Sequence, residues 1–254
     1  MFFRRKGKLD GEFDNLYASL FDNSEQYIKV VTALSKKNKG LSREEIIKAT
    51  GLSDGGALSE VLSDLDNCDL IRRYQGFGKD ERGALYQLTD FYTFFYFKFI
   101  KKYSTSEKPF WAYQINTPVH NAWSGYAFEQ LCLYHYNQIE KSLGINGILT
   151  KVAAWSAKPD ESQVPPLKGA QIDLIISRSD HIVNVCEMKF TDEEFSMTAR
   201  YREEINNKIQ RFRRDCKVRY PIHPVLVTTY GLKHNEHSDI FQKVVVQKDL
   251  FAEN

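Results

Sequence analysis

The sequence lacks any apolar run long enough to cross a lipid bilayer. No stretch reaches the roughly 18 residues that a membrane helix needs, and the aromatic run from Phe91 to Ile100 is interrupted by Lys98. The amino-terminal stretch MFFRRKGKLDGEF also lacks the longer apolar segment of a signal peptide. We therefore expect a soluble cytoplasmic protein with no membrane partner.

Cysteine is scarce, and several catalytic signatures are missing. The four cysteines form no CxxC pair, which argues against a zinc ribbon or a redox motif, and Cys132 and Cys186 lie in apolar runs typical of a core. There is no GxSxG, HExxH or Ser/His/Asp arrangement. His234 and His237 have no obvious third metal ligand, so we expect them on a loop surface.

The net charge of +2 over 254 residues is too small to indicate nucleic-acid binding by itself. Any basic surface must therefore be local. The apolar fraction of 42% is ordinary for a globular protein, and the length allows one large domain or two small ones.

The amino-terminal half shows three periodic helices followed by a hairpin. Ser42 and Glu45 form a capping box at the start of the second helix. Helices are expected at about residues 24–37, 42–50 and 55–67, and strands at about 70–74 and 85–88. This order resembles a winged helix-turn-helix. The helix after the turn is acidic, with no Lys or Arg between Gly51 and Ile71, so packing or partner contact is favoured there over DNA reading.

The carboxy-terminal half has the order helix, three strands, helix, strand, which predicts an α/β sandwich. Helices are expected at about residues 121–139 and 196–214, and strands at about 147–156, 171–177, 182–190 and 224–230, with a last short strand in VVVQKDLF. The predicted division is 1–103 for the winged-helix domain with an aromatic helix, 104–120 for a linker, and 121–254 for the second domain.

Three charged residues stand where two of these strands leave the core. Glu187 and Lys189 share one strand face with Val183 and Val185, so that face is apolar at one end and charged at the other. Pairing through the turn near residues 178–181 places Asp173 opposite Cys186 or Glu187. Either register brings two carboxylates close together.

Two neighbouring carboxylates repel one another unless a cation or a proton lies between them. Mg²⁺, or Mn²⁺, suits such hard oxygen ligands, and the nearby lysine could orient the attacking water or neutralise charge on phosphate. The alternative is an exposed Glu–Lys ion pair of little consequence, which is common on strands.

These motifs resemble the PD-(D/E)XK nuclease superfamily over roughly residues 121–230. The resemblance implies a restriction-endonuclease-like α/β sandwich with a mixed central sheet, and Mg²⁺-dependent hydrolysis of DNA. It implies Asp173 and Glu187 as metal ligands, with the main-chain carbonyl of Met188, and Lys189 as the catalytic lysine. Glu129, in the GYAFEQL segment, matches the Glu that many members carry on their first helix. Gln171-Ile172 stand where the family's proline often precedes Asp173.

The helix that follows Lys189 is strongly basic. Residues 200–219 contain eight Lys or Arg against three Asp or Glu, a local excess of five positive charges. We predict phosphate contacts there, against the alternative of an ordinary solvated helix face. The candidate nucleic-acid-binding residues are Arg200, Lys208, Arg211, Arg213 and Arg214; Lys208 and Gln210 could also face the active centre, which their spacing does not decide.

The two halves together also resemble the carboxy-terminal portion of prokaryotic AAA+-type ATPases, and EFDNLYASLF resembles the segment that precedes the winged helix there. The chain has no G-x-x-x-x-G-K-[ST], so it cannot bind ATP by that loop. Three hypotheses follow: a Mg²⁺-dependent nuclease, a non-catalytic nucleic-acid or ATPase-partner module, and a winged-helix transcription regulator, which the acidic helix disfavours. A homodimer is compatible with each.

Overall fold

The computed structural model describes residue 9 and residues 11–78, 83–103, 110–162 and 166–252. The chain divides into two compact units, residues 1–75 with 80–123, and residues 76–79 with 124–254. The division at 123–124 lies inside a helix, whereas we predicted a linker at 104–120. Residues 104–109 of that linker lie outside the described part of the chain.

The first unit combines helices with a small three-stranded sheet. Its helices are α1 (Glu12–Leu20), α2 (Ser24–Leu34), α3 (Arg43–Thr50), α4 (Gly56–Asn67), α5 (Phe91–Phe95) and α6 (Lys101–Tyr103). Its strands are β1 (Leu41–Ser42), β2 (Ile71–Tyr74) and β3 (Leu85–Leu88), arranged antiparallel in the order β1-β3-β2. A π-helical turn over Tyr96–Ile100 joins α5 to α6, and a short 3-10 helix covers Phe110–Tyr113.

The predicted capping box at the start of α3 is confirmed. The Ser42 hydroxyl accepts from the backbone N–H of Glu45 at 3.2 Å, and the Glu45 carboxylate accepts from the backbone N–H of Ser42 at 2.9 Å. The apolar face predicted for α4 is also buried, at Leu58, Val61, Leu62 and Leu65. Local chemistry and periodicity therefore determine these helices.

Two of the acidic side chains of α4 make contacts within the first unit. Asp64 accepts a hydrogen bond from the Tyr27 hydroxyl at 2.7 Å, and Asp66 accepts from the backbone N–H of Arg73 at 3.1 Å. Part of the negative charge of α4 thus serves the packing of the unit itself.

Gly40 lies where the chain enters β1 and passes close to β3. Its φ is +80°, and a Cβ at this position would overlap the carbonyl oxygen of Tyr86. We expect Gly40→Ala to lower the free energy of unfolding by about 1–3 kcal/mol from the left-handed backbone alone. The clash of the methyl group with the Tyr86 carbonyl oxygen should lower it further. Gly56→Ala is the matched control: nothing lies within 4 Å of the position that its Cβ would take, and alanine favours the helix. Urea denaturation measures both, and equal midpoints would contradict this prediction.

The second unit is an α/β structure around a mixed five-stranded sheet. Helix α7 (Pro118–Tyr134) crosses from the first unit into this one and is followed by α8 (Tyr136–Ser142). The remaining elements are β4 (Thr150–Ala157), β5 (Ala170–Arg178), β6 (Val183–Lys189), β7 (Phe195–Ser196), α9 (Ala199–Asp215), β8 (Ile222–Thr228), β9 (Leu232–Lys233) and β10 (Lys243–Val246), with 3-10 helices at Ser238–Ile240 and Gln247–Phe251.

The five-stranded sheet has the order β10-β8-β6-β5-β4. Strands β4, β5 and β6 form an antiparallel meander, and β6, β8 and β10 run parallel to one another. Helices α7 and α8 contribute Phe128, Cys132 and Ile139 to the apolar cluster on one face. Helix α9 contributes Phe212 to the cluster on the other face, beside Val183 and Val185 of β6. The predicted α/β class is confirmed.

No helix in the described ranges is both long enough and apolar enough to span a membrane. Cys132 and Cys186 are buried free thiols, as the apolar runs around them predict.

Candidate active site

Strand β6 leaves the apolar core at Glu187 and Lys189. Every residue from Val183 to Cys186 is buried, as is Met188, while Glu187 and Lys189 are half-buried on the α9 side of the sheet. The Lys189 Nζ lies 3.4 Å from Glu187 Oε1. The predicted face, apolar at one end and charged at the other, is therefore present in the structure.

Strand β5 brings Asp173 to the level of Glu187. Pairing between β5 and β6 ends with Leu174 opposite Cys186, and the next residues along the two strands are Asp173 and Glu187. This is one of the two registers that the turn length allowed.

The pairing of β5 with β4 is irregular at the same point. Ala153 pairs with Ile175 but Trp155 pairs with Ile172, so Asp173 and Leu174 lie opposite Ala154 alone. Such an extra residue redirects the side chains around it, and bulges of this kind occur often beside active sites. Asp173 is half-buried there and accepts a hydrogen bond from the Gln171 side chain.

Glu129 of α7 lies within electrostatic range of the other three residues. Burial raises the pKa of Glu129 to about 7, and the nearby carboxylates of Asp173 and Glu187 contribute to the rise, whereas Lys189 and Lys208 oppose it. The structure thus brings Glu129, Asp173, Glu187 and Lys189 into one electrostatically coupled group, as the predicted site requires.

Helix α9 supplies two contacts to Glu187. The Lys208 Nζ lies 2.6 Å from Glu187 Oε2, and the Tyr201 hydroxyl donates to Glu187 Oε1. Lys208 was predicted as a phosphate-binding residue, and it lies inside the site against a carboxylate. Tyr201 was missed, because a tyrosine on a basic amphipathic helix has no sequence signal that separates it from a packing residue.

These contacts decide the protonation of Glu187. Burial would raise the pKa of this carboxyl, but Lys208 and Lys189, with the hydrogen bonds from Lys208 and Tyr201, outweigh it and hold the pKa below its usual value. Burial, followed by the Glu187 carboxylate, raises the pKa of the Tyr201 hydroxyl. At neutral pH the pair is therefore an ionised carboxylate and a protonated phenol.

The site contains more carboxylates than ammonium groups, a balance that a cation would offset. Three carboxylates, those of Glu129, Asp173 and Glu187, face two ammonium groups, and burial followed by the charge of Asp173 raises the pKa of Glu129 to about 7. In the described residues no three His, Cys, Asp or Glu side chains are grouped so as to hold a metal ion by themselves. Mg²⁺ commonly uses one or two protein carboxylates and completes its shell with water and phosphate, so the donor set fits this ion.

The predicted nucleic-acid-binding residues of α9 divide by exposure and contact. Arg200 is 87% exposed beside Glu204, and Arg214, 52% exposed, pairs with Asp215. Arg213 donates to the Tyr220 carbonyl at 3.4 Å, and Lys208 contacts Glu187. Arg211 is only 9% exposed and donates to the carbonyls of Lys158, at 2.6 Å, and Lys168. Arg200 and Arg214 therefore expose more of their side chains to solvent than Arg211 does.

The contrast between Arg211 and Arg200 makes a prediction. Arg211→Ala should lower the free energy of unfolding by about 1–3 kcal/mol, because it removes the donors to two backbone carbonyls, and should leave DNA affinity nearly unchanged. Arg200→Ala should leave stability unchanged and, where α9 contacts phosphate, reduce the salt slope of DNA binding by about one. Thermal unfolding and fluorescence anisotropy at several salt concentrations measure the two effects. The reverse pattern would assign the phosphate contact to Arg211.

Comparison with known proteins adds no assignment: no family model, no curated protein and no solved structure matches the chain.

Proposed function

We propose that this chain is a divalent-metal-dependent nuclease that hydrolyses phosphodiester bonds in DNA. The observation that carries the proposal is the convergence of Glu129, Asp173, Glu187 and Lys189 at the end of β6, where burial and mutual charge raise the pKa of Glu129 to about 7. Perturbed carboxyl groups beside a lysine are typical of catalytic sites more than of surface ion pairs.

The order of elements supports the same proposal. A helix, an antiparallel meander, a helix and a parallel strand follow one another in the second unit. This is the arrangement expected of a PD-(D/E)XK nuclease domain. The first unit has helices and a three-stranded sheet in which β2 and β3 form a hairpin. This order supports a winged-helix unit, which would position the substrate or a partner.

In this proposal the carboxylates of Asp173 and Glu187, with Glu129 and the Met188 carbonyl, would hold the metal ion. Bound Mg²⁺ or Mn²⁺ would polarise the phosphate and acidify a bound water. Lys189 holds a positive charge 3.4 Å from Glu187, where it can orient the attacking water or neutralise charge that develops on phosphate. Lys208, whose Nζ lies 2.6 Å from Glu187 Oε2, is a second positive charge at the site and could contact the phosphate.

The test is cleavage by the purified chain with plasmid, single-stranded DNA and RNA, in Mg²⁺ or Mn²⁺ and in EDTA. We expect DNA cleavage that requires the metal and is lost in Glu187→Gln. Glu203→Gln, an exposed position on α9, is the matched control and should cleave normally. Cleavage that persists in Glu187→Gln would refute the site, and cleavage of RNA alone would correct the substrate class.

One observation favours a second candidate, a non-catalytic nucleic-acid or partner-binding module. The Lys208 ammonium and the Tyr201 hydroxyl already satisfy both oxygens of Glu187 without a metal ion. Absence of both cleavage and metal binding, with DNA binding retained, would decide for this candidate.

A further inference from the structure

Tyr201 contacts both members of the Glu187–Lys189 pair. Its hydroxyl donates a hydrogen bond to Glu187 Oε1, and the Lys189 Nζ lies over its ring, 4.8 Å from the ring centroid. One side chain of α9 thus touches the two residues of β6 to which the proposed function assigns the chemistry.

The position of Tyr201 is itself fixed by its surroundings. The Thr198 hydroxyl caps α9 by accepting from the backbone N–H of Tyr201 at 3.2 Å. The ring packs edge-on against Phe195 of β7, with centroids 5.5 Å apart, in the apolar cluster that also contains Met197 and Ile205. A side chain that is restrained at its backbone and at its ring also restrains the groups that it contacts.

The two contacts have different chemistry and can be separated. The hydroxyl orients a carboxylate, which governs how that carboxylate presents an oxygen to a cation. The ring face attracts an ammonium group through its quadrupole, which restrains a long and flexible lysine side chain. Lys208 holds the other carboxylate oxygen, and because both it and Lys189 carry positive charge, it cannot replace the attraction of the ring for Lys189.

We propose that Tyr201 is a positioning residue with two separable functions: its hydroxyl orients Glu187 for the divalent cation, and its ring holds Lys189 for the chemical step. This inference rests on the proposed nuclease function. It adds a residue and a division of labour to the site.

The test uses Tyr201→Phe and Tyr201→Leu in the full chain. Tyr201→Phe keeps the ring and loses the hydroxyl, so we expect Mn²⁺ binding, measured by titration calorimetry, to weaken roughly tenfold. Its cleavage rate at saturating Mn²⁺ should stay within about threefold of the native rate. Tyr201→Leu should show the same weakening and, in addition, a saturated cleavage rate at least roughly tenfold lower, because Lys189 loses its restraint.

Tyr134→Phe, which removes an exposed hydroxyl from α7, is the matched control and should change neither quantity. A merely structural role would lower the melting temperature and the active fraction of both variants without changing the Mn²⁺ dissociation constant, and that result would overturn the proposal. So would a Tyr201→Phe variant that binds Mn²⁺ within about twofold of native. A native chain that neither binds Mn²⁺ nor cleaves DNA would instead refute the proposed function, and this inference with it.

Discussion

Lys189→Met is expected to lower the rate of the proposed metal-dependent DNA cleavage by roughly 10²- to 10⁴-fold, the contribution typical of a positioned general acid or base. The ammonium group lies 3.4 Å from Glu187 Oε1 and above the Tyr201 ring. Methionine keeps much of the side-chain volume of lysine but removes this charged group. Mn²⁺ binding should be retained or strengthened, because one positive charge leaves a group of three carboxylates. Single-turnover cleavage and calorimetry on the same preparation measure the two effects.

The matched control for this variant is Lys151→Met, at an exposed position on β4. It makes the same chemical change on another strand of the sheet, and we expect native cleavage. If Lys189→Met cleaves within a few-fold of the native rate, Lys189 forms an ordinary ion pair with Glu187 and the catalytic role assigned to it is wrong.

Glu129 is expected to make the stability of the metal-free chain depend on pH. Its pKa in the folded protein is about 7, against 4.5 for an ordinary glutamate, so the folded state favours the protonated form. This contribution to stability is fully present below about pH 4.5 and is lost as the pH rises through 7. At about 1.4 kcal/mol per pKa unit, the loss between pH 5 and pH 8 is on the order of 2 kcal/mol.

Glu129→Gln should remove that loss, because glutamine has the shape of the neutral form and cannot ionise. In EDTA at pH 8 the variant should therefore melt roughly 4–8 °C above the native chain, while at pH 5 the two should melt together. Glu203→Gln, exposed on α9, should show no such gap. A gap of the same size at both pH values would mean that Glu129 is not the titrating group.

Metal binding should show the opposite dependence on pH. Carboxylate ligands must be deprotonated before they bind, so Mn²⁺ affinity should rise as Glu129 ionises near pH 7. The chain without metal is thus expected to lose stability over the same pH range in which its affinity for metal increases.

The parts of the fold that could be predicted are those determined by local chemistry. The Ser42–Glu45 capping box, the buried face of α4 and the emergence of Glu187 and Lys189 from β6 each depend on residues within a few positions of one another. The pairing of β5 with β6 was narrowed to two registers by the length of the turn, and the structure adopts the one that aligns Asp173 with Glu187.

Several predicted element boundaries differ from those in the structure. Helix α7 begins at Pro118, three residues before the predicted start, since proline is well tolerated in the first turn of a helix. The single helix predicted over residues 121–139 is divided at His135 into two helices, α7 and α8. The last strand was predicted in VVVQKDLF. In the structure its first three residues belong to β10 (Lys243–Val246), and the rest form a 3-10 helix over Gln247–Phe251.

Features of the site that arise from tertiary structure could not be predicted. The irregular pairing at Asp173 depends on β4, which is distant in sequence from the motif. Tyr201 and Lys208 reach Glu187 through the packing of α9 on the sheet, which helical periodicity does not determine. The charge count of α9 likewise indicated a phosphate surface, although Lys208 and Arg211 make contacts within the protein.

Whether Asp173 and Glu187 hold a divalent cation can be measured by titrating Mn²⁺ into the chain by calorimetry. We expect binding near one ion per chain at pH 8, and its loss in the double variant Asp173→Asn with Glu187→Gln, while Glu203→Gln binds as the native chain does. Equal binding by the native chain and the double variant would contradict this expectation.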